Sequence, residues 1–331
     1  YQKYGGFLHW NLIPFSSLEL SLGARFDYIS FTEESDISPR MGLKYHLTPT
    51  LNFNMAAGRY FQPPFNEYLN SVRGNPKELR NYYADQIVGG LEFFPSSDSR
   101  ITLEYYTKQY ADMVTFEMLK GSDGRDSLNY YKRINGGEGR SRGLELYIQK
   151  KYSNNWYGSF SWSHSISEGI DPRTKEYYPW KYDYRNVINL VGGYKIKYKD
   201  YDWYGSYKNS MFAKLFSWLP FMPSDEYQIS LKYRYMGGQP YTPKHYDHSI
   251  REWYTNANDE WNTERYDHYI RIDLMLQQRF HYEKVNLVAF WDIMNILNRK
   301  NPYEYVYLDD GTKIMGWQYT TFPVGGLILE F

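Results

Sequence analysis

The sequence contains no cysteine. Disulfides, thiolate metal ligands and a cysteine nucleophile are therefore excluded, and the absence suits an oxidising compartment. No apolar run reaches the roughly 18 residues that a membrane-crossing helix requires. Net charge is also lacking: 38 Lys and Arg balance 38 Asp and Glu. Nothing there points to nucleic acid as a partner. The chain begins at Tyr1 with neither Met nor a secretory leader, so the expectation is a mature protein or a piece of a longer one.

Aromatic residues, by contrast, are abundant. Ten Trp, 38 Tyr and 18 Phe make up 20% of the 331 residues, while mean hydropathy is −0.71. A hydrophilic chain this rich in rings suits a membrane β-barrel, in which alternate residues meet water and the rims carry aromatic girdles.

Period-2 alternation recurs along the chain. Leu18, Leu20, Leu22, Ala24 and Phe26 interleave with Glu19, Ser21, Gly23, Arg25 and Asp27. Leu103 alternates with Glu104, Leu144 and Leu146 with Glu145, and Ile272 and Leu274 with Arg271 and Asp273. The C-terminal stretch sets Leu327, Leu329 and Phe331 against Ile328 and Glu330. Such a closing strand meets lipid on one face and the lumen on the other. The rival reading is an edge strand of a soluble β protein that binds carbohydrate.

Connection length alternates too. Short turns are expected near 14–17, 47–50, 95–99, 153–155 and 281–284. Long polar, aromatic connections are expected near 29–38, 62–83, 111–139, 165–184, 237–266 and 309–319. Barrels sort their loops in this way, with short periplasmic turns and long outer loops. One connection on the short side, 197–226, breaks the rule. Its Met211–Leu219 stretch suggests an amphipathic helix at the membrane interface. Taking 285–306 as one long strand gives roughly thirteen strands. An odd number starting on a downward strand implies that the first strands of the barrel lie outside this chain.

No hydrolytic or redox constellation stands out, and an enzyme is not expected. Ser163 and His164 are adjacent on a strand and point to opposite faces. Gly136-Gly-Glu-Gly139 leads into a strand, whereas a phosphate-binding loop would open a helix. His245 and His248, with Asp247 between them and His268 beyond, are the best metal candidates. Their place in a long loop favours a polar surface, so no metal and no other cofactor is expected.

The loops carry the binding candidates: Tyr177, Trp180, Tyr241, Trp253, Tyr254 and Trp261. Rigid rings among charged neighbours such as Arg251, Asp259, Glu260 and Arg265 bury area at low entropic cost. They suit a flat metal chelate or a sugar ring. An interfacial aromatic belt with loop-on-loop packing is the competing explanation. Arg25, Glu104, Glu145, Arg234, Arg271 and Asp273 form a polar lumenal wall, expected to pair internally and with a domain inside.

An ordered set of motifs then resembles a known family. It comprises Ser38-Pro-Arg-Met-Gly-Leu43, Gly58-Arg-Tyr-Phe-Gln-Pro-Pro-Phe-Asn-Glu67 and Arg140-Ser-Arg-Gly-Leu-Glu-Leu146. Gly237-Gly-Gln-Pro-Tyr-Thr242, Phe290-Trp-Asp-Ile-Met-Asn-Ile-Leu-Asn298 and the terminal Phe331 complete it. Together they resemble the C-terminal barrel region of TonB-dependent outer-membrane receptors. The resemblance implies an all-β, antiparallel transmembrane β-barrel in the bacterial outer membrane. Residues 1–331 would be one domain, about the last thirteen of 22 strands, without the plug. It further implies uptake of a scarce solute such as a ferric siderophore, cobalamin or an oligosaccharide. The partners would be outer-membrane lipid, that ligand, and the TonB-ExbB-ExbD complex acting through the absent plug. A passive porin-like or adhesin-like barrel is the alternative.

Overall fold

Long stretches of alternating apolar and polar side chains become strands in the computed structural model. It describes residues 2–69, 75–120, 126–255 and 261–331, without the side chains of 118–120 and 126–131. Strands β1 (Lys3–Phe15), β2 (Leu18–Ile29), β3 (Glu34–Thr48) and β4 (Leu51–Gln62) form a meander. Helix α1 (Asn66–Leu69) lies in the connection to β5 (Tyr82–Ser96). Then follow β6 (Ser99–Lys120), β7 (Asp126–Ser153) and β8 (Trp156–Ile170). The three-residue β9 (Tyr177–Pro179) folds back on β8 before β10 (Asn186–Ile196). Helices α2 (Asp202–Asn209) and α3 (Met211–Phe216) precede β11 (Glu226–Met236). The next connection holds two small ribbons, β12 (Pro240–Tyr241) with β15 (Glu264–Arg265), and β13 (His245–Asp247) with β14 (Glu252–Tyr254). Strands β16 (Tyr269–His281) and β17 (Asn286–Met294), the hairpin β18 (Pro302–Tyr307) and β19 (Lys313–Trp317), and β20 (Phe322–Glu330) complete the chain.

Fourteen strands share one sheet. With β9 a side branch on β8, the wall is thirteen strands wide, in sequence order from β1 to β20. All its pairings are antiparallel, as the alternation predicts.

Register assigns the two faces. Leu20 pairs with Leu43, Leu103 with Leu146, Leu231 with Leu274 and Leu287 with Leu329. These side chains share one face, and it stands open: Leu103 is 43% exposed and Leu329 57%. On the other face Glu104 opposes Glu145, Lys232 opposes Asp273 and Arg234 opposes Arg271. Arg25 follows the same parity through Ser38. A soluble sandwich buries its leucines. Here the leucines stand exposed, and Arg271–Asp273 at 2.8 Å and Lys44–Glu92 at 3.5 Å lie on the polar face, while Arg59–Asp85 at 2.7 Å lies on the other, toward the loop end. In hydrocarbon, each such leucine is stabilised by about 1.5–3 kcal/mol relative to water.

The five short turns form where expected, at Ser16–Ser17, Pro49–Thr50, Ser97–Asp98, Asn154–Asn155 and residues 282–285. Three of the other expectations change. Residues 29–38 are mostly strand, because β2 and β3 pair as far as Ile29 and Glu34 and leave a four-residue turn. The 111–139 stretch is a projecting hairpin of β6 and β7, with register shifts near Met113, rather than a loop. Residues 285–306 are not one strand. Asn295 and Asn298 adopt left-handed conformations, φ 54° and 52°, which asparagine tolerates well. The Asn295 amide N–H donates to Asp273 at 2.9 Å, and its side chain holds Arg299. The strand therefore stops at Met294.

Candidate functional site

The long connections gather at one end of the sheet, opposite the short turns. Trp180, just after β9, is fixed there by backbone geometry. Gly139 on β7 and Gly169 on β8 are direct cross-strand partners on the polar face. A Cβ on either would overlap the Trp180 indole. Two missing side chains thus let the ring lie flat on the wall, with Tyr110 edge-on at 5.0 Å between centroids.

Trp261 joins the same ledge from the β11–β16 connection. It meets Tyr178 edge-on at 5.0 Å and Phe116 at 5.5 Å. The Arg173 guanidinium sits 4.5 Å from its ring centroid. Arg173 is held by the buried Asp171 carboxylate, which accepts from its backbone N–H at 2.8 Å and its Nε at 2.9 Å. Burial raises the Asp171 pKa, but the Arg173 hydrogen bonds outweigh it and hold the carboxyl below its ordinary value. A cavity of about 580 Å³ opens beside this cluster, between Phe116, Glu117, Asn135, Glu138, Arg173 and Lys175.

A second group of rings surrounds Tyr241. It stacks on Tyr266 at 4.4 Å and meets Tyr305 at 5.3 Å, while Lys313 Nζ lies 3.7 Å from the Tyr305 centroid. Burial, then the neighbouring Tyr305, raises the Tyr241 pKa and keeps its hydroxyl protonated. A cleft of about 500 Å³ is bordered by Tyr182, Tyr184, Gln239, Tyr241, Tyr266 and Glu304. Further along, Trp253 packs on Tyr246 at 5.2 Å and Tyr307 at 4.7 Å, and its Nε1 donates to the Leu308 carbonyl at 2.7 Å.

One buried carboxylate locks these loops together. Asp183 has no exposed surface. It accepts from Arg265 at 2.6 Å, Arg185 at 2.9 Å and the Ser167 backbone N–H at 3.0 Å. Arg265 NH1 also donates to the Gly238 carbonyl at 3.0 Å. Asn262 adds a hydrogen bond to the Pro179 carbonyl at 2.8 Å. The β8–β10 and β11–β16 connections thus meet at one charge.

Of the residues expected from sequence, Trp180 and Trp261 lie in neighbouring ring clusters bridged through Tyr178 and β9. Tyr241 and Trp253 anchor the second and third groups. Tyr254 is half exposed beside His245. Tyr177 is placed elsewhere: it pairs with Ile170 on the apolar side, under the Arg140 guanidinium at 3.8 Å. Its neighbour Tyr178, which sequence reasoning did not single out, faces the site instead. The signal was parity against the Gly139–Gly169 pair. Tyr305, Tyr307 and Asp183 were also missed. His245 and His248 are each against a ring, Tyr254 and Tyr246 respectively, and among the described residues no three His, Asp or Glu side chains converge. Asp259 and Glu260 lie outside the described residues.

A depression of about 850 Å³ lies away from the loops, on the apolar face among Leu8, Trp10, Leu22, Met41, Ala57 and Ile87. Its lining is mostly apolar, with the Arg59–Asp85 ion pair at one edge.

Comparison with known proteins places this geometry. A family model described as TonB dependent receptor-like, beta-barrel, matches residues 1–296. No curated protein matches the chain. Among solved structures, FpvA of P. aeruginosa bound to a heterologous ferric pyoverdine is 15% identical with a TM-score of 0.65, over 99% of this chain and 37% of that one. The outer membrane transporter YddB from Escherichia coli is 13% identical with a TM-score of 0.66, over 99% and 45%. The ferric-catecholate import receptor Fiu from E. coli is 11% identical with a TM-score of 0.66, over 99% and 44%. The chain spans less than half the length of each.

Proposed function

The chain belongs to the TonB dependent receptor-like β-barrel family, and from that premise we propose that it is the C-terminal wall of an outer-membrane uptake receptor. The sheet's apolar face meets lipid, and its polar face lines a lumen filled by a plug. The long loops capture a ferric siderophore, and the TonB-ExbB-ExbD complex drives release through the plug. The chain serves transport, not catalysis.

The arrangement of Trp180, Tyr178 and Trp261 under Arg173 carries the reading. Flat rings offer contact area with little entropy to lose. Arg173, its charge paired with Asp171, stacks on Trp261 and completes the flat ledge. Lys313 repeats the pairing beside Tyr241 and Tyr305. An anionic ferric chelate with planar ligand groups matches that chemistry better than a neutral glycan or a corrin. The siderophore receptors among the structural neighbours support the same substrate class.

The test is a binding titration on the full-length receptor, read by tryptophan fluorescence. Ferric catecholates, cobalamin and oligosaccharides are compared in turn. The ferric chelate is expected to quench, and Trp261→Ala to weaken it about tenfold, equivalent to about 1.4 kcal/mol. Binding of none of the three, or uptake that continues without TonB, would favour the passive barrel.

A further inference from the structure

The 197–226 connection is helical, as its sequence suggests, but its placement is unexpected. It lies at the short-turn end and folds back over the apolar face of the wall. Two contacts establish this. Gln278 and Tyr227 are cross-strand partners on the same face as Leu276 and Ile229. The Gln278 side-chain nitrogen, fully buried, lies 3.1, 2.9 and 2.7 Å from the carbonyls of Ser217, Leu219 and Met222. The Tyr227 hydroxyl donates to the Pro220 carbonyl at 2.7 Å.

The segment is clamped rather than draped. The buried Asp225 carboxylate accepts from Lys208 at 2.8 Å and from the His281 backbone N–H at 2.7 Å. Lys199 reaches Glu226 at 3.1 Å. Tyr204 and Ala213 point inward, 4% exposed each. Ser210 caps α3 by accepting from the Ala213 N–H at 3.1 Å.

The outer surface of this clamp is hydrocarbon. Met211, Phe212, Leu215, Trp218 and Phe221 are each more than half exposed. Exposed apolar side chains in this density mark an interaction surface. Four are on or beside α3, whose one inward residue is Ala213. The surface continues the apolar face of β11, β16 and β17, the face the barrel turns to lipid. Its tryptophans and the basic residues at its base are the composition of interfacial anchors.

We propose that residues 198–225 are a membrane-seated clamp. It enters the leaflet nearest the short turns and covers the lipid-facing side of strands β11 and β16. Its occupant is the headgroup and upper acyl region of phospholipid, not a protein. The buried Gln278 side-chain nitrogen, costly in bare hydrocarbon, finds its acceptors only in the clamp and so fixes its position.

The chain has no cysteine, so single spin labels can be introduced at Phe212→Cys, Leu215→Cys and Phe221→Cys. The full-length receptor is reconstituted in phosphatidylethanolamine–phosphatidylglycerol vesicles. Collision with membrane-soluble oxygen is compared with collision with a water-soluble nickel chelate. Glu283→Cys, in the neighbouring short turn, is the aqueous control. Leu103→Cys reports independently whether the wall itself is in lipid, on which the proposal rests. The expected result is a severalfold higher oxygen-to-nickel ratio at the three clamp sites than at Glu283, approaching that of Leu103. Nickel accessibility equal to that of Glu283 would overturn it. Protection from both reagents would overturn it too, by indicating a protein partner on that surface. Each site is read separately, so a single variant that fails to fold leaves the others to decide.

Discussion

The Trp180 indole occupies the space that a side chain on Gly139 would need. The wall has been left bare at that point so that a ring can lie against it. Gly139→Ala must therefore move the indole or bend β7, an overpacking cost of about 1–3 kcal/mol. The expected effect is on the loop end rather than on the barrel. Heat-modifiability on gels should stay the same, while ligand affinity falls and tryptophan emission shifts to the red. Unchanged emission would mean that the ring is not held by this contact.

Asp183 joins the β8–β10 connection to that between β11 and β16 through Arg185 and Arg265. Removing one partner of a buried ion pair leaves the other charge uncompensated, typically at about 3–5 kcal/mol. Asp183→Ala is expected to release residues 177–185 and 261–268 together. Hydrogen exchange should accelerate in both segments and remain slow in β6 and β7. If only one segment loosens, Asp183 is not the shared fastening.

The Asp171–Arg173 pair gives these loops an acid-sensitive element. The folded carboxyl titrates below its unfolded value of about 3.9. Its contribution is therefore complete above that value and is lost as pH falls through the lower, folded one. Between pH 5 and 8 the Arg173–Trp261 contact should be insensitive to pH. Below about pH 4 Trp261 fluorescence should change as Arg173 is released, and Arg173→Gln should abolish that transition. A transition that survives in the variant belongs to other carboxylates.

The architecture was readable because membrane strands write a period of two directly into the sequence. Leu103–Glu104 and Leu146–Glu145 already separated the faces before any register was known. What remained hidden depended on a single residue. Asn295 ends β17 through its own left-handed turn and its bond to Asp273, information that a hydrophobic pattern does not contain. Tyr177 and Tyr178 are equivalent in composition, and only the pairing of β9 with β8 decides which faces the site. The 111–139 hairpin looked like a loop because glycines and charged residues interrupt its alternation. The clamp was recognisable as amphipathic, but the role of Gln278 beneath it depends on contacts that no alternation pattern contains.

Glu104 and Glu145 directly oppose each other on the polar face. Like charges in that arrangement repel, at a cost of about 0.2–1 kcal/mol. Ser163 donates to Glu145 at 3.3 Å, but neither carboxylate has an ion-pair partner among the described residues, whereas Arg25, Arg271 and Lys44 all have one. A cationic group on the plug proposed to fill the lumen would resolve the conflict. Glu104→Gln with Glu145→Gln in the full-length receptor is then expected to leave the barrel as heat-stable as before, or slightly more so. The interior domain should unfold at lower urea, followed by fluorescence of a probe placed on it. Unchanged unfolding of that domain would show that the two carboxylates face water rather than a partner charge.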